Sequence, residues 1–461
     1  MSTSSPPISA RPLAAWSDGQ PPSGPWALRG ALLWAEAAPT GCSADLSTCP
    51  TGVHQHEDGL LVIEGDKIIE AGPAEALLAA RPGLPVDDRR GALLVPGFVD
   101  THVHAPQIDV TASFGAQLLD WLERYTFPTE AGFADEGRAA ADSAAFLDLL
   151  LAAGTTTAMA FATVHPHTSA HLFAGAEARG LQLLTGPVWM DQHGPPALMV
   201  PPAQSAAATA ALIEAWQGRG RAKVVLTPRF VPSCTREALA TCAAMAAAHP
   251  DLHIQSHVAE NRAEVAWVAA LFPEARSYLE VYARHGLLRP GAVYAHCIYL
   301  DQADWRLMAE TGATAAFCPS SNLFLGSGLF DLAAARAAGA RVGLGSDVGG
   351  GTSLSALRTL GDAYKVLNLQ GQALHPAEGL HLATLGGAEA LGLPCTGSFR
   401  AGDTADVVAL SPGPNPLLRR RWGLRSSPLD HFFALMTLGD EANTAAVWAA
   451  GQQRVGAPPT P

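Results

Sequence analysis

The sequence predicts an α/β fold: a (β/α)8 barrel carrying a small discontinuous β-sandwich domain made from the two ends of the chain. Three observations predict it. From Gly91 onward, eight short runs rich in strand formers alternate with alanine-rich stretches of helix length, the pattern of a parallel sheet wrapped by helices. Polar residues suited to one site stand at the ends of at least five of these runs, which a closed ring gathers around a point more readily than an open doubly wound sheet. Strand-like segments flank the eight units on both sides, so the flanks are expected to pair.

Taken in order, the first two dozen residues are rich in Pro, Ser and Gly and read as a flexible tail over 1–25. WALRGALLW (Trp26 to Trp34) and GLLVIEGDKIIEAG (Gly59 to Gly72) follow as β-structure, the second turning at its central Gly-Asp. They place the amino-terminal part of the small domain at 26–95 and the barrel at 96–390. The eight runs are GALLVPGFVDTHVHA, TTTAMAFATV, LQLLTGPVWMD, KVVLTPRFV, LHIQSHVAE, AVYAHCIYL, ATAAFCPSS and RVGLGSDVG. Between them lie helical stretches such as GRAAADSAAFLDLLLAAG, SAAATAALIEAWQG, TREALATCAAMAAAH and DLAAARAAG, several ending in the glycine that helix termini favour. GSFRAGDTADVVAL then returns to strand character, and 391–461 is expected to complete the small domain and end in a tail.

Composition narrows the partners. A net charge of −13 over 461 residues, with no basic run to offset it, argues against nucleic acid and for a small molecule. The seven cysteines form no CxxC and no framework, so they read as reduced thiols in a cytoplasmic protein. No run approaches the roughly 20 apolar residues that cross a bilayer, and no membrane partner is expected.

The stretch that organises the site is PGFVDTHVHAPQ, Pro96 to Gln107. Side chains at i and i+2 of a strand leave from one face, so His102 and His104 can converge on one metal ion. The other strand ends supply Gln107 after the first run, Arg229 with Phe230 after the fourth, His257 with Glu260 after the fifth, His296 after the sixth, and Ser346 with Asp347 after the eighth. Imidazoles and a carboxylate suit Zn²⁺, or Fe²⁺, with a position left for water. Water on such an ion ionises near neutral pH, Glu260 stands where a carboxylate can shuttle protons, and Asp347 can both bind metal and take the water's first proton. Other features are set aside. His54 and His56 lie in a polar segment and read as solvated loop. His165-Pro-His167 reads as a helix start or loop because proline disfavours a strand, and GLGSDVGG as a flexible turn because it lacks the nucleotide-loop pattern.

With PGFVDTHVHAPQ, SHVAENRAEV, AHCIYL and GLGSDVGGG in this order, the chain resembles the amidohydrolase superfamily of metal-dependent barrel hydrolases. LLDWLERYTFPTE, LTPRFVPSC, CPSSNLFLGSGLFD and HLATLGGAEALGL narrow the resemblance to its guanine deaminase family, over about Pro96 to Leu410. The resemblance implies conversion of guanine and water to xanthine and ammonia at one zinc ion, in a homodimer. It implies His102, His104, His257 and Asp347 as ligands, Glu260 as the proton shuttle, His296 beside the attacking oxygen, and Gln107, Arg229 and Phe230 around the purine, with Trp121 also lining the pocket. Cys297 stands where the family often has glycine, which puts the placement of His296 in question. Lys223 precedes the apolar core of its strand, the wrong end for a bridging lysine, which favours one metal. Deamination of another aminated heterocycle, such as 8-oxoguanine, a pterin or an adenosine derivative, and a metal-free scaffold are the competing readings.

Overall fold

The computed structural model describes residues 22–115, 117–424 and 427–456, so the expected tail up to residue 21 lies outside the described residues. Four strands open the chain: β1 (Trp26–Thr40), β2 (Thr51–Glu64), β3 (Lys67–Pro73) and β4 (Val86–Pro96). There follow β5 (Phe98–His104), β6 (Thr155–Phe161), β7 (Gln182–Gly186), the two-residue β8 (Val188–Trp189), β9 (Ala222–Pro228), β10 (His253–Val258), β11 (Ala292–His296), β12 (Thr314–Phe317) and β13 (Arg341–Leu344). The last three are β14 (Val407–Leu410), β15 (Thr444–Ala449) and β16 (Gln452–Val455).

The two ends of the chain meet in a seven-stranded mixed sheet of order β16-β15-β14-β4-β1-β2-β3. Antiparallel pairing of β14 with β4, Val407 opposite Pro96, joins the carboxyl-terminal strands to the amino-terminal ones. The Gly65-Asp66 turn links β2 to β3 as the sequence predicts. Alternate residues of these strands, among them Trp26, Leu28, Leu61, Ile63, Val407 and Trp448, share one apolar core. The sheet folds over that core, and Ile68 N–H reaches the Asp403 carbonyl at 2.9 Å. Two helices, Pro416–Trp422 and Pro428–Leu438, interrupt the carboxyl-terminal part that was expected to be β-structure.

Two expectations are corrected here. The run GALLVPGFVDTHVHA is two strands belonging to two domains, β4 in the mixed sheet and β5 in the barrel, because the chain changes sheets at Gly97. A Cβ at Gly97 would lie 2.0 Å from Thr156 Oγ1, so only glycine lets the strand cross there. The polar segment holding His54 and His56 is strand rather than loop. Pairing with β1 sets Trp34 opposite His54, with the rings stacked at 4.9 Å, and so overrides the weak strand preference of Gln, Glu and Asp.

The other eight principal strands form the barrel in the order β13-β12-β11-β10-β9-β7-β6-β5, and every pair is parallel. The ring closes where β13 meets β5: Asp347 N–H donates to the His102 carbonyl at 2.9 Å, and His104 N–H to the Val348 carbonyl at 2.8 Å. Val99, Met159, Leu184, Val225, Val293 and Ala316 fill the interior, and Leu391 and Leu393 close it at the amino-terminal end. With that end sealed, polar chemistry is confined to the carboxyl-terminal mouth. No described helix is long and apolar enough to cross a membrane.

The domains are tied at the sealed end by Arg221, whose Nη2 lies 2.5 Å from Asp406 Oδ2 and whose Nη1 lies 3.0 Å from Oδ1. Asp406 is buried, so removing the guanidinium leaves an uncompensated carboxylate with, among the described residues, only the Ala450 N–H, at 2.9 Å, as a partner. Arg221→Ala is expected to cost about 3 kcal/mol, the loss typical when one partner of a buried pair is removed. A urea midpoint unchanged from the parent would show that the pair contributes nothing.

Candidate metal centre and active site

The ligand candidates come together because β5 is irregular. Its register with β6 shifts between Asp100 and Val103, a bulge that re-aims the side chains at the strand end. His102 and His104 then both turn into the mouth, with their Nε2 atoms 3.2 Å apart. On β10 the alternation is regular. Gln255 points inward, donating to Thr227 Oγ1 at 3.0 Å, and His257, two residues on, shares its face. Asp347 arrives from the turn after β13 with Oδ1 at 3.1 Å from His102 Nε2 and 3.3 Å from His104 Nε2. His257 Nε2 lies 3.2 Å from His104 Nε2. One donor atom from each of the four falls within 4.8 Å of all the others.

These spacings fit a metal. Four ligands at zinc distances of roughly 2.0–2.1 Å in a tetrahedron stand about 3.3 Å from each other, so the observed neighbours need little adjustment. Protonation states agree with that use. Burial pushes His104 down to about 4, lowers His102, and together with repulsion from His102 and His104 holds His257 well below the ordinary imidazole value. Against its own burial, Asp347 is held well below the ordinary carboxylate range by hydrogen bonds and attraction from His102 and His104. Three neutral imidazoles and an ionised carboxylate are the forms that bind a cation. His257 Nδ1–H donates to the Arg229 carbonyl at 2.6 Å, which fixes the tautomer that turns Nε2 toward the cluster.

Beside the cluster, Glu260 Oε1 accepts from Ser327 Oγ at 2.8 Å and Oε2 lies 3.3 Å from His296 Nε2. Burial, reinforced by the charge on Asp347, pushes Glu260 up to about 8. His296 Nδ1 donates to Asn322 Oδ1 at 2.9 Å, which leaves Nε2 facing Glu260, with Asp347 Oδ2 at 3.8 Å. Strand alternation would turn His296 away, since Ala295 already faces the interior. Backbone φ values of 73° at His296 and 52° at Cys297 turn it back. Glycine adopts that conformation freely, so Cys297 carries a local strain that the buried thiol offsets in part by bonding the Tyr294 carbonyl at 3.3 Å. His296 nevertheless reaches the site.

Above the cluster is a cavity. His104, Gln107, Trp121, Arg229, Phe230, His257, Glu260, His296 and Asp347 all line it, and His102 sits beneath as a ligand. The structure thus gathers these ten residues at one place, whereas Ser346 does not line the cavity and bonds Asp100 instead. Trp121 both lines the cavity and packs, its Nε1–H donating to the Ser113 carbonyl at 3.2 Å. GLGSDVGG makes a turn, but a buried one, bonded to β5 at its seam. His165 precedes the helix Pro166–Arg179, and Lys223 is the second residue of β9, at the sealed end.

Sequence reasoning missed the groups behind the site. Glu130 bonds both Arg229 and Gln107, Asn322 orients His296, and Ser327 holds Glu260. All three lie inside segments quoted for the resemblance, yet no spacing rule marks them. Glu264 was also unassigned. Its Oε2 accepts from the backbone N–H groups of Glu260 and Asn261 at 3.0 and 3.2 Å, so it positions the loop that carries Glu260.

The comparisons with known proteins bear on this geometry. A model of the amidohydrolase family matches residues 93–453. The guanine deaminase of Escherichia coli (strain K12) is 42% identical over 398 residues, 86% of this chain and 91% of that protein. The chain belongs to the guanine deaminases of the amidohydrolase family. The solved E. coli guanine deaminase superposes with a TM-score of 0.89 at 39% identity, covering 94% of this chain and 99% of that one. Guanine deaminase from C. acetobutylicum, solved with guanine in its active site, gives 0.83 at 26% identity, covering 93% of this chain and 100% of that one. The metal dependence of the family matches the four-residue cluster.

Burial, and then the charge of Glu260, pushes Glu264 up to about 7 from the ordinary 4.5. A raised carboxyl keeps in the folded state a proton that the unfolded chain releases first. Its contribution to stability is therefore full at low pH, falls as pH rises from the ordinary value toward about 7, and levels off above. Glu264→Gln, which keeps an acceptor for the backbone and a partner for the Tyr278 hydroxyl that donates to Glu264 Oε1 at 2.7 Å, is expected to flatten the fall in urea midpoint between acid and neutral pH. An equal fall in parent and variant would mean that Glu264 does not hold its proton.

Proposed function

We propose that this chain hydrolyses guanine to xanthine and ammonia at a single zinc ion held by His102, His104, His257 and Asp347. The observation that carries the reading is that one cavity is lined both by members of the ligand cluster with Glu260 and by the donors Arg229 and Gln107. A zinc ion bound there supplies the polarisation that brings a water molecule close to hydroxide at neutral pH.

The chain's own groups do the rest. Arg229 only donates, which suits a ring carbonyl, and Phe230 offers an apolar wall to the purine. Glu260, in its protonated form, gives its proton to the ring nitrogen beside the attacked carbon while Asp347 takes one from the incoming water. The water oxygen bonds to that carbon. Glu260 then accepts the new hydroxyl proton and passes it to the amino group, which leaves as ammonia as the carbonyl forms. His296, whose Nε2 lies 3.3 Å from Glu260 and 3.8 Å from Asp347, returns the proton from Asp347 to Glu260 and restores both.

The test is ammonia release from guanine by zinc-loaded protein, with 8-oxoguanine and a pterin alongside. Failure on guanine refutes the reading, and faster release from another heterocycle reassigns the substrate. Glu260→Gln is expected to keep its zinc and lose on the order of 10²-fold in turnover, the loss that follows removal of a positioned acid-base. Undiminished turnover takes Glu260 out of the mechanism. Arg229→Ala should weaken guanine binding with metal retained, and loss of metal instead would mean that the loop after β9 has been misassigned.

A further inference from the structure

Glu130 does not line the cavity, yet it touches two of the residues that do. It lies on the short helix Phe127–Ala131, and its side chain is 1% exposed. Oε2 is 2.6 Å from Arg229 Nη1, and Oε1 accepts from Gln107 Nε2 at 3.0 Å. The guanidinium is itself 3% exposed, and a buried cation without a partner is costly. Phe127, whose ring lies 5.2 Å from the guanidinium carbon, covers another side of it. The carboxylate is thus the charge partner that holds Arg229 at the cavity wall.

The second oxygen does different work. By accepting from Gln107 Nε2 it fixes which end of that amide faces which way, and Gln107 Oε1 is left to the Gly349 N–H at 3.4 Å. An unrestrained glutamine can flip and offer either an acceptor or a donor. With its oxygen committed to Gly349, this one has a remaining N–H to offer. Arg229 likewise has only N–H groups left. We propose that Glu130 is the positioning residue for substrate selection: by binding one N–H of each, it makes the Arg229–Gln107 part of the cavity wall donor-only, and so selects purines with a ring carbonyl over those with an amine there.

This rests on the purine reading of the pocket, and the test separates the two. Hypoxanthine carries the ring carbonyl with its neighbouring N1–H and purine carries neither, so the ratio of their inhibition constants against guanine turnover measures how well that lactam edge is read. In Glu130→Gln, an isosteric change, the amide has one acceptor for two donors, and either Arg229 or Gln107 must turn. The inhibition constant of hypoxanthine is expected to rise about 10- to 100-fold, the range for losing hydrogen bonds to a charged group, and that of purine by less than about 3-fold. KM for guanine should rise more than kcat falls, with zinc content unchanged.

A purely structural Glu130 would shift both inhibition constants together, and that result overturns the proposal. Should Glu130→Gln fail to fold, adding it to Arg229→Met avoids the stranded cation. The double variant is then expected to show the same ratio of inhibition constants as Arg229→Met alone, and a further change in that ratio overturns the proposal. Parent protein inert toward guanine would instead refute the functional reading itself.

Discussion

Everything at the mouth of this barrel depends on four ligand atoms from distant parts of the chain lying within 4.8 Å of one another. Two come from β5, the first barrel strand, and one from the turn after β13, the last. The cluster therefore exists only if the ring closes. The closing bonds are made by the ligands' own backbone, Asp347 N–H to the His102 carbonyl and His104 N–H to the Val348 carbonyl. Closing the fold and assembling the cation site are the same event. His257, reaching over from β10, makes the site a test of the whole circumference.

The rim carries the local cost of this arrangement. Ala259, His296, Cys297 and Asp347 all adopt positive φ, between 50° and 73°, where a side chain is disfavoured by roughly 1–3 kcal/mol. Each lies just beyond or at the end of a strand that supplies a functional group. Regular strands would end their side chains in alternating directions, and these turns bring Glu260, His296 and Asp347 to one point. The apolar interior and the sealed opposite end hold the strands in register while the rim departs from ideal geometry. Buried carboxylates complete the design: Asp100 beneath the ligands accepts from Ser346 Oγ at 2.5 Å and from the His102 and Ser346 N–H groups, fixing β5 to the turn that bears Asp347.

Most of the barrel and the polar strand-end residues at the cavity were legible in the sequence, because alternating apolar strands and polar strand ends are local patterns, whereas Glu264, which also lines the cavity, was not. What was not legible depends on contacts across the fold. Gly97 divides two domains within one apolar run, and only the nearness of Thr156 explains why. His54 and His56 sit on a strand because Trp34 lies opposite, which their own polar neighbours do not foretell. Glu130 follows Thr and precedes Ala and Gly, as an exposed helical glutamate would, and nothing local says that Arg229, 99 positions on, meets it. Cys297 looked able to displace His296, and the positive φ shows both why glycine suits that position and how the histidine stays in place.

The most direct test is anomalous diffraction at the zinc edge from crystals of the purified protein, with metal content measured on the same sample. The account predicts a single peak per chain among His102 Nε2, His104 Nε2, His257 Nε2 and Asp347 Oδ1, and one equivalent of metal in solution. A peak elsewhere, two peaks in the mouth, or a full equivalent of metal with no peak at these four atoms would contradict it.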